Sequence, residues 1–104
     1  MNQLTLFDAP TTPTIRDRFE AFHAANPRVY RVLRDKALEL RRAGRTHYGL
    51  KRLFEWLRYD SPVAVLTDDG YRLNNSYTPH YARLLMDSEP ELVGFFETRE
   101  RSNR

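Results

Sequence analysis

The sequence predicts a mainly α single domain carrying one β-hairpin, in a winged-helix-like order α-α-α-ββ-α-α behind a flexible N-terminal tail. Three observations lead there. Apolar residues recur at helical spacing from Ile15 to Leu57. Two helix-start pairs, Asn26-Pro27 and Thr78-Pro79, place a capping side chain before a proline at the first helical position. Between them, Asp69-Gly70 divides a partly alternating run with a tight-turn signal. The 104 residues suffice for one domain with a modest core, and 40% hydrophobic with 30% charged residues is a globular composition.

Residues 1–13 show no helical or sustained strand period and hold Pro10 and Pro13, so they read as a flexible tail ending in a stiff linker. Residues 14–104 form the domain. Thr14 caps a helix over Ile15–Ala25, where Ile15, Phe19 and Phe22 share one face. Asn26 ends it and caps a second helix, Pro27–Ala43, with Val29, Leu33, Ala37 and Leu40 as its apolar stripe and Gly44 as its stop. Thr46 or His47 caps a third, reaching Arg58, with Leu50, Leu53, Phe54 and Leu57 inward. Val63–Asn74 is read as the hairpin. Thr78-Pro79 starts a helix through Asp87 with Tyr81, Leu84 and Leu85 inward. Ser88-Glu89-Pro90-Glu91 fits a capping box for a last helix holding Leu92, Val93, Phe95 and Phe96.

Charge is distributed unevenly. Ten basic residues lie between Arg28 and Arg58 against Asp35, Glu39 and Glu55, whereas Asp60 to Glu100 holds eight acids against Arg72, Arg83 and Arg99. A basic first half points to a polyanion, with duplex DNA the expected partner. In the winged-helix reading Lys51, Arg52 and Arg58 lie on the recognition surface. Arg72 on the hairpin meets phosphate, and Arg41, Arg42 and Arg45 add backbone contacts. The competing reading is a solvated face, because Asp35 and Glu39 partly neutralise the second helix and Lys51 has Glu55 four residues on. A second candidate face gathers Asn74, Asn75, Tyr77, His80 and Arg83 around a helix start, where backbone N–H groups favour anions. There the plain alternative is that the two asparagines only end the hairpin.

Several classes are disfavoured. No stretch approaches the roughly 20 apolar residues that span a bilayer, and residues 1–13 lack the features of a secretory signal. There is no cysteine, hence no disulfide and no thiolate zinc site. The expected compartment is the cytoplasm. His23, His47 and His80 are far apart, and no HExxH or Gly-rich phosphate loop occurs. Asp68-Asp69 beside Gly70 is turn chemistry. No catalytic residue, metal site or cofactor is expected.

Gln3-Leu4-Thr5-Leu6-Phe7 resembles the pentapeptide, usually QL[SD]LF, by which bacterial polymerases and repair proteins bind the sliding clamp. The resemblance implies that Gln3 enters a polar subsite, Leu4 supports it, and Leu6 and Phe7 anchor in an apolar groove. Physical reasoning agrees: large apolar side chains on a tail need burial somewhere, and extended peptides commonly dock in preformed grooves. The alternative is an edge strand packed on the chain's own domain. A second resemblance covers most of 18–100. FEAFHAANPRVY (Phe19–Tyr30) and GYRLNNSYTPHYARLLMDSEPELVGFFETRE (Gly70–Glu100) resemble a family of small uncharacterised phage and prophage proteins. That family implies a setting and no activity. The expected function is a clamp-tethered, non-enzymatic DNA-binding accessory protein in replication, repair or recombination. The alternative is a phage-encoded inhibitor that occupies the host clamp.

Overall fold

A computed structural model describes residues 13–61 and 73–97, and these form four α-helices, two 3₁₀ turns and connecting segments around one core. The helices are α1 (Ile15–Ala25), α2 (Pro27–Arg42), α3 (Leu50–Asp60) and α4 (Thr78–Ser88). The 3₁₀ turns are Asn75–Tyr77 before α4 and Pro90–Leu92 after it.

α1 begins with a reciprocal cap. Thr14 Oγ1 accepts from the Asp17 amide at 3.0 Å, and the Thr14 amide donates to Asp17 Oδ2 at 3.0 Å. The Thr14 amide first, and then its hydroxyl, hold the Asp17 carboxyl below its ordinary range. Asn26 separates α1 from α2, as its position in the sequence predicts, but its side chain points backward. Its Nδ2 donates to the Phe22 carbonyl at 3.0 Å, closing α1, while no side-chain cap bond opens α2. Pro27 makes that cap less needed, since its position requires no amide partner.

α2 ends in a Schellman arrangement. Gly44 has φ +108°, its amide donates to Arg41 O, and the Arg45 amide reaches back to Leu40 O. A side chain at that φ is strained, although open space surrounds the position. The chain then runs extended to Gly49, whose carbonyl accepts from the Arg52 and Leu53 amides and so starts α3. This corrects the expected start at Thr46 or His47. The reason is tertiary: the Tyr48 amide is bound to the Phe95 carbonyl at 3.1 Å, which keeps residues before Gly49 out of the helix.

No strand occurs among the described residues, so the winged-helix-like order with a β-hairpin is replaced by an all-helical arrangement. Residues 63–72 of the expected hairpin Val63–Asn74 lie outside the described residues. Its last two residues are not strand. Leu73 is buried and its carbonyl accepts from Arg58 Nη2 at 2.9 Å, while Asn74 Oδ1 accepts from the Ser76 amide and turns the chain into the first 3₁₀ turn. The helix expected after Ser88 is also corrected. Ser88 is the last residue of α4, Glu89 makes no side-chain cap, and only the turn Pro90–Leu92 forms. Glu91 is engaged by Arg42 instead of closing a capping box, and Gly94 at φ +75° bends the chain further.

The apolar periodicity survives these corrections. Phe19, Phe22, Val29, Leu33, Ala37, Leu50, Leu53, Phe54 and Leu57 join Leu73, Tyr77, Tyr81, Ala82, Leu85, Leu92, Phe95 and Phe96 in one cluster. Ile15, Leu40 and Leu84, also expected inward, are only partly buried against it, and Val93 is 70% exposed beside its buried neighbours. Truncating a fully buried leucine such as Leu33 or Leu53 would cost about 2–5 kcal/mol.

Tyr81 occupies the centre. Its ring meets Phe19 edge-on at 4.7 Å, with Phe54 at 5.9 Å and His23 at 6.0 Å. Its hydroxyl is buried without a hydrogen-bond partner, and burial pushes the phenol far above its ordinary range. An unsatisfied buried hydroxyl is a cost to folding that a phenyl ring lacks. Tyr81→Phe is therefore expected to raise unfolding stability by about 1 kcal/mol, read from the urea midpoint at unchanged m-value. A loss of stability would show that the hydroxyl has a partner in solution.

Candidate nucleic-acid interface

The structure sorts the basic residues by what each guanidinium or ammonium already touches. Ion pairs among the described residues are Arg16–Glu20, Arg34–Asp35, Lys36–Glu39 and Arg42–Glu91. The neutralisation of the second helix by Asp35 and Glu39 is thus realised at Arg34 and Lys36. The expected Lys51–Glu55 pair is not formed.

Four members of the DNA-binding set are occupied in holding the fold. Arg42 grips the Glu91 carboxylate through Nε, at 3.0 Å, and Nη2; this keeps Glu91 below its ordinary range and raises Arg42. Arg41 Nε donates to the Glu91 carbonyl at 3.2 Å. Together they fasten the C-terminal segment to the end of α2. Arg58 Nη2 bridges Leu73 O and Asn75 Oδ1, at 2.9 and 2.8 Å, and so joins α3 to the segment leading into α4. Asn75 is the acceptor in that tie.

The second candidate face is not assembled as one surface. Asn74 is spent on the Ser76 amide, and Tyr77 is buried against Phe19 and Phe22. His80 and Arg83 are instead brought to a cleft between α1 and α4 of about 520 Å³, which Arg16, Glu20, Leu84 and Asp87 also line. His80 stacks on Phe19 at 5.3 Å, and Arg83 Nη1 returns to the Pro79 carbonyl at 3.4 Å. Arginines and carboxylates balance in this cleft, which argues against a phosphate site there. Arg72 lies outside the described residues, as do the proposed clamp contacts Gln3, Leu4, Leu6 and Phe7.

Arg45, Lys51 and Arg52 remain, Arg45 on the α2–α3 connection and the other two in the first turn of α3, where Lys51 lines a cleft with Thr78, Pro79 and Glu97. All three are exposed, and none has a carboxylate partner among the described residues. Between them stands Tyr48. The guanidinium carbon of Arg45 is 5.2 Å from its ring centroid and that of Arg52 is 5.1 Å. The ring itself is anchored, nearly parallel to Phe95 at a centroid distance of 6.4 Å, and its backbone is tied to Phe95 O. The result is a cationic, partly aromatic surface on a braced turn.

Tyr48 is absent from the expected DNA-binding set because an isolated aromatic between basic residues reads equally well as core. Only its placement outside α3, imposed by Phe95, separates it from the helix's apolar stripe. The described residues contain no group of three potential metal ligands, and none of their helices is long and apolar enough to cross a membrane.

Two histidines give the domain a pH dependence. His23, against Phe19, Tyr30 and Tyr81, is lowered by burial; His80 is lowered by burial and then by the Arg83 and Arg16 cations. The unfolded chain accepts protons near about pH 6.5, before the folded one does. Stability is therefore full above that pH and falls as pH drops from 6.5 toward the depressed folded values. Urea midpoints measured between about pH 7.5 and 5 should decline, and His23→Gln with His80→Gln should flatten the curve over that window. Arg58→Ala, in turn, should lower stability by about 1.5 kcal/mol through its lost bonds while leaving DNA affinity nearly unchanged, since the side chain faces Leu73 and Asn75. Comparison with known proteins returned no matching family model, curated protein or solved structure.

Proposed function

We propose that this chain is a non-enzymatic DNA-binding accessory protein, brought by its N-terminal QLTLF peptide to a bacterial sliding clamp during replication, repair or recombination. The phage and prophage resemblance of residues 18–100 makes a phage or prophage the setting. The observation that carries the DNA-binding half is that Arg45, Lys51 and Arg52 are exposed around the start of α3 without an ion pair among the described residues, while Arg34, Lys36 and Arg42 are internally paired. Unpaired surface cations release counterions from duplex DNA and bind it without reading sequence.

The clamp-binding half rests on the pentapeptide and on division of labour. A weak groove contact and a weak phosphate contact in one chain reinforce each other, by about 10²–10⁴ over either alone. The tail then supplies the address, and the basic turn holds the DNA that the clamp encircles.

Two titrations test this. Duplex DNA binding should weaken steeply with salt, and changing Arg45, Lys51 and Arg52 together to Ala should flatten that dependence; a duplex that does not bind at low salt defeats the DNA half. Clamp titrated with the wild-type chain and with Leu6→Ala/Phe7→Ala should show loss of binding in the variant. Equal affinity of the two would remove the clamp from the proposal. Clamp binding in a chain that ignores DNA would favour the clamp-occupying inhibitor instead.

A further inference from the structure

Read as separate charges, Arg45 and Arg52 would make two independent phosphate contacts, one from a turn and one from a helix. Their geometry differs from that picture. Both guanidiniums lie over the same ring, Tyr48, at nearly equal distances of 5.2 and 5.1 Å. The ring does not move freely to follow either, because it is near-parallel to buried Phe95 and its amide is bonded to the Phe95 carbonyl. Phe95 is in turn carried by the segment that Arg41 and Arg42 fasten to α2 through Glu91. A fixed aromatic surface thus restrains two long side chains that would otherwise lose rotamer freedom on binding.

We propose that Arg45 and Arg52 form a single two-guanidinium clamp for one phosphodiester group, with Tyr48 as the positioning residue that holds them together. This deepens the DNA-binding reading above and rests on it. Guanidiniums carry a planar fork of donors suited to phosphate oxygens, and a phosphate has enough acceptor sites for two forks. Lys51, one residue before Arg52 and without a ring contact, serves a different phosphate as a point charge. The partner is therefore a nucleic-acid backbone, recognised by its diester phosphates.

The number of phosphates neutralised is measurable. Each one contributes about 0.9 to the slope of log K against log salt on duplex DNA. Full-length protein with Arg45→Ala/Arg52→Ala is expected to lose about 0.9 in slope, the share of one phosphate. The loss in affinity of that double variant should also be smaller than the product of the two single losses, because either change already breaks the clamp. A slope loss of about 1.8, with the single effects multiplying, would overturn the clamp and leave two independent contacts at a valid DNA interface. An unchanged slope would overturn the interface itself.

Tyr48 is tested separately. Tyr48→Phe keeps the ring and should keep both the affinity and the coupling between the two arginines. Tyr48→Leu should weaken binding about fivefold and make the arginine effects multiply. Thermal melts of both variants confirm that the domain remains folded. Tyr48→Leu with full affinity and undiminished coupling would remove Tyr48 from its positioning role.

Discussion

The left-handed backbone at Gly44 is the constraint on which the remainder of the domain depends. With φ at +108° it lets the Arg45 amide reach back to Leu40 O, so α2 stops sharply and the chain leaves in a new direction. That direction brings Tyr48 to the Phe95 carbonyl, delays α3 to Leu50, and sets the basic turn beside the C-terminal segment. The same segment returns Glu91 to Arg41 and Arg42 at the end of α2. Residues about 50 apart in sequence thereby brace one corner of the molecule. Arg45 and Arg52, neither of them in an ion pair among the described residues, stand at the same corner.

Arginine serves two purposes in this chain, and the chemistry of the partner, an acceptor oxygen or an aromatic ring, decides which. Arg58 reaches a backbone carbonyl and an asparagine from the flank of α3, and Arg42 meets a carboxylate with two nitrogens. These are fold-building contacts that use the fork geometry of the guanidinium. Arg45 and Arg52 instead set the same group over the Tyr48 ring, with no hydrogen bond from either guanidinium to another described residue. A face-on contact with an aromatic ring orders a guanidinium without consuming its hydrogen-bonding capacity. Counting basic residues along the chain cannot distinguish these two uses.

The helical part of the fold was legible because its signals are local. Thr14, Asn26-Pro27, the stripe Val29-Leu33-Ala37-Leu40 and Gly44 act through near neighbours in the chain, and they start, separate, face and stop the helices where the sequence places them, Leu40 only partly buried. The start of α3, the fate of Ser88-Glu89-Pro90-Glu91 and the end of the expected hairpin were not legible. In each, a distant partner competes with the local signal and wins: Phe95 O for Tyr48, Arg42 for Glu91, Arg58 for Leu73 O. Half of the candidate site shared this difficulty. Lys51, Arg52 and Arg45 were visible as charges, while Arg41, Arg42, Arg58, Asn74, Asn75 and Tyr77 were assigned to a surface although the fold uses them internally.

By itself the sequence determined the helices α1 and α2, the identity of most core residues, the concentration of basic charge before residue 60, and the pentapeptide at the N-terminus. Those depend on short-range periodicity, capping and composition, which folding does not redistribute. The tertiary structure alone decided which arginines are paired within the fold and that Arg45 and Arg52 lie over one ring, Tyr48. It also decided that residues 73–97 continue the helical core without a strand. These outcomes turn on contacts between segments tens of residues apart, where the energy of one hydrogen bond or ion pair depends on a neighbour that no local pattern names.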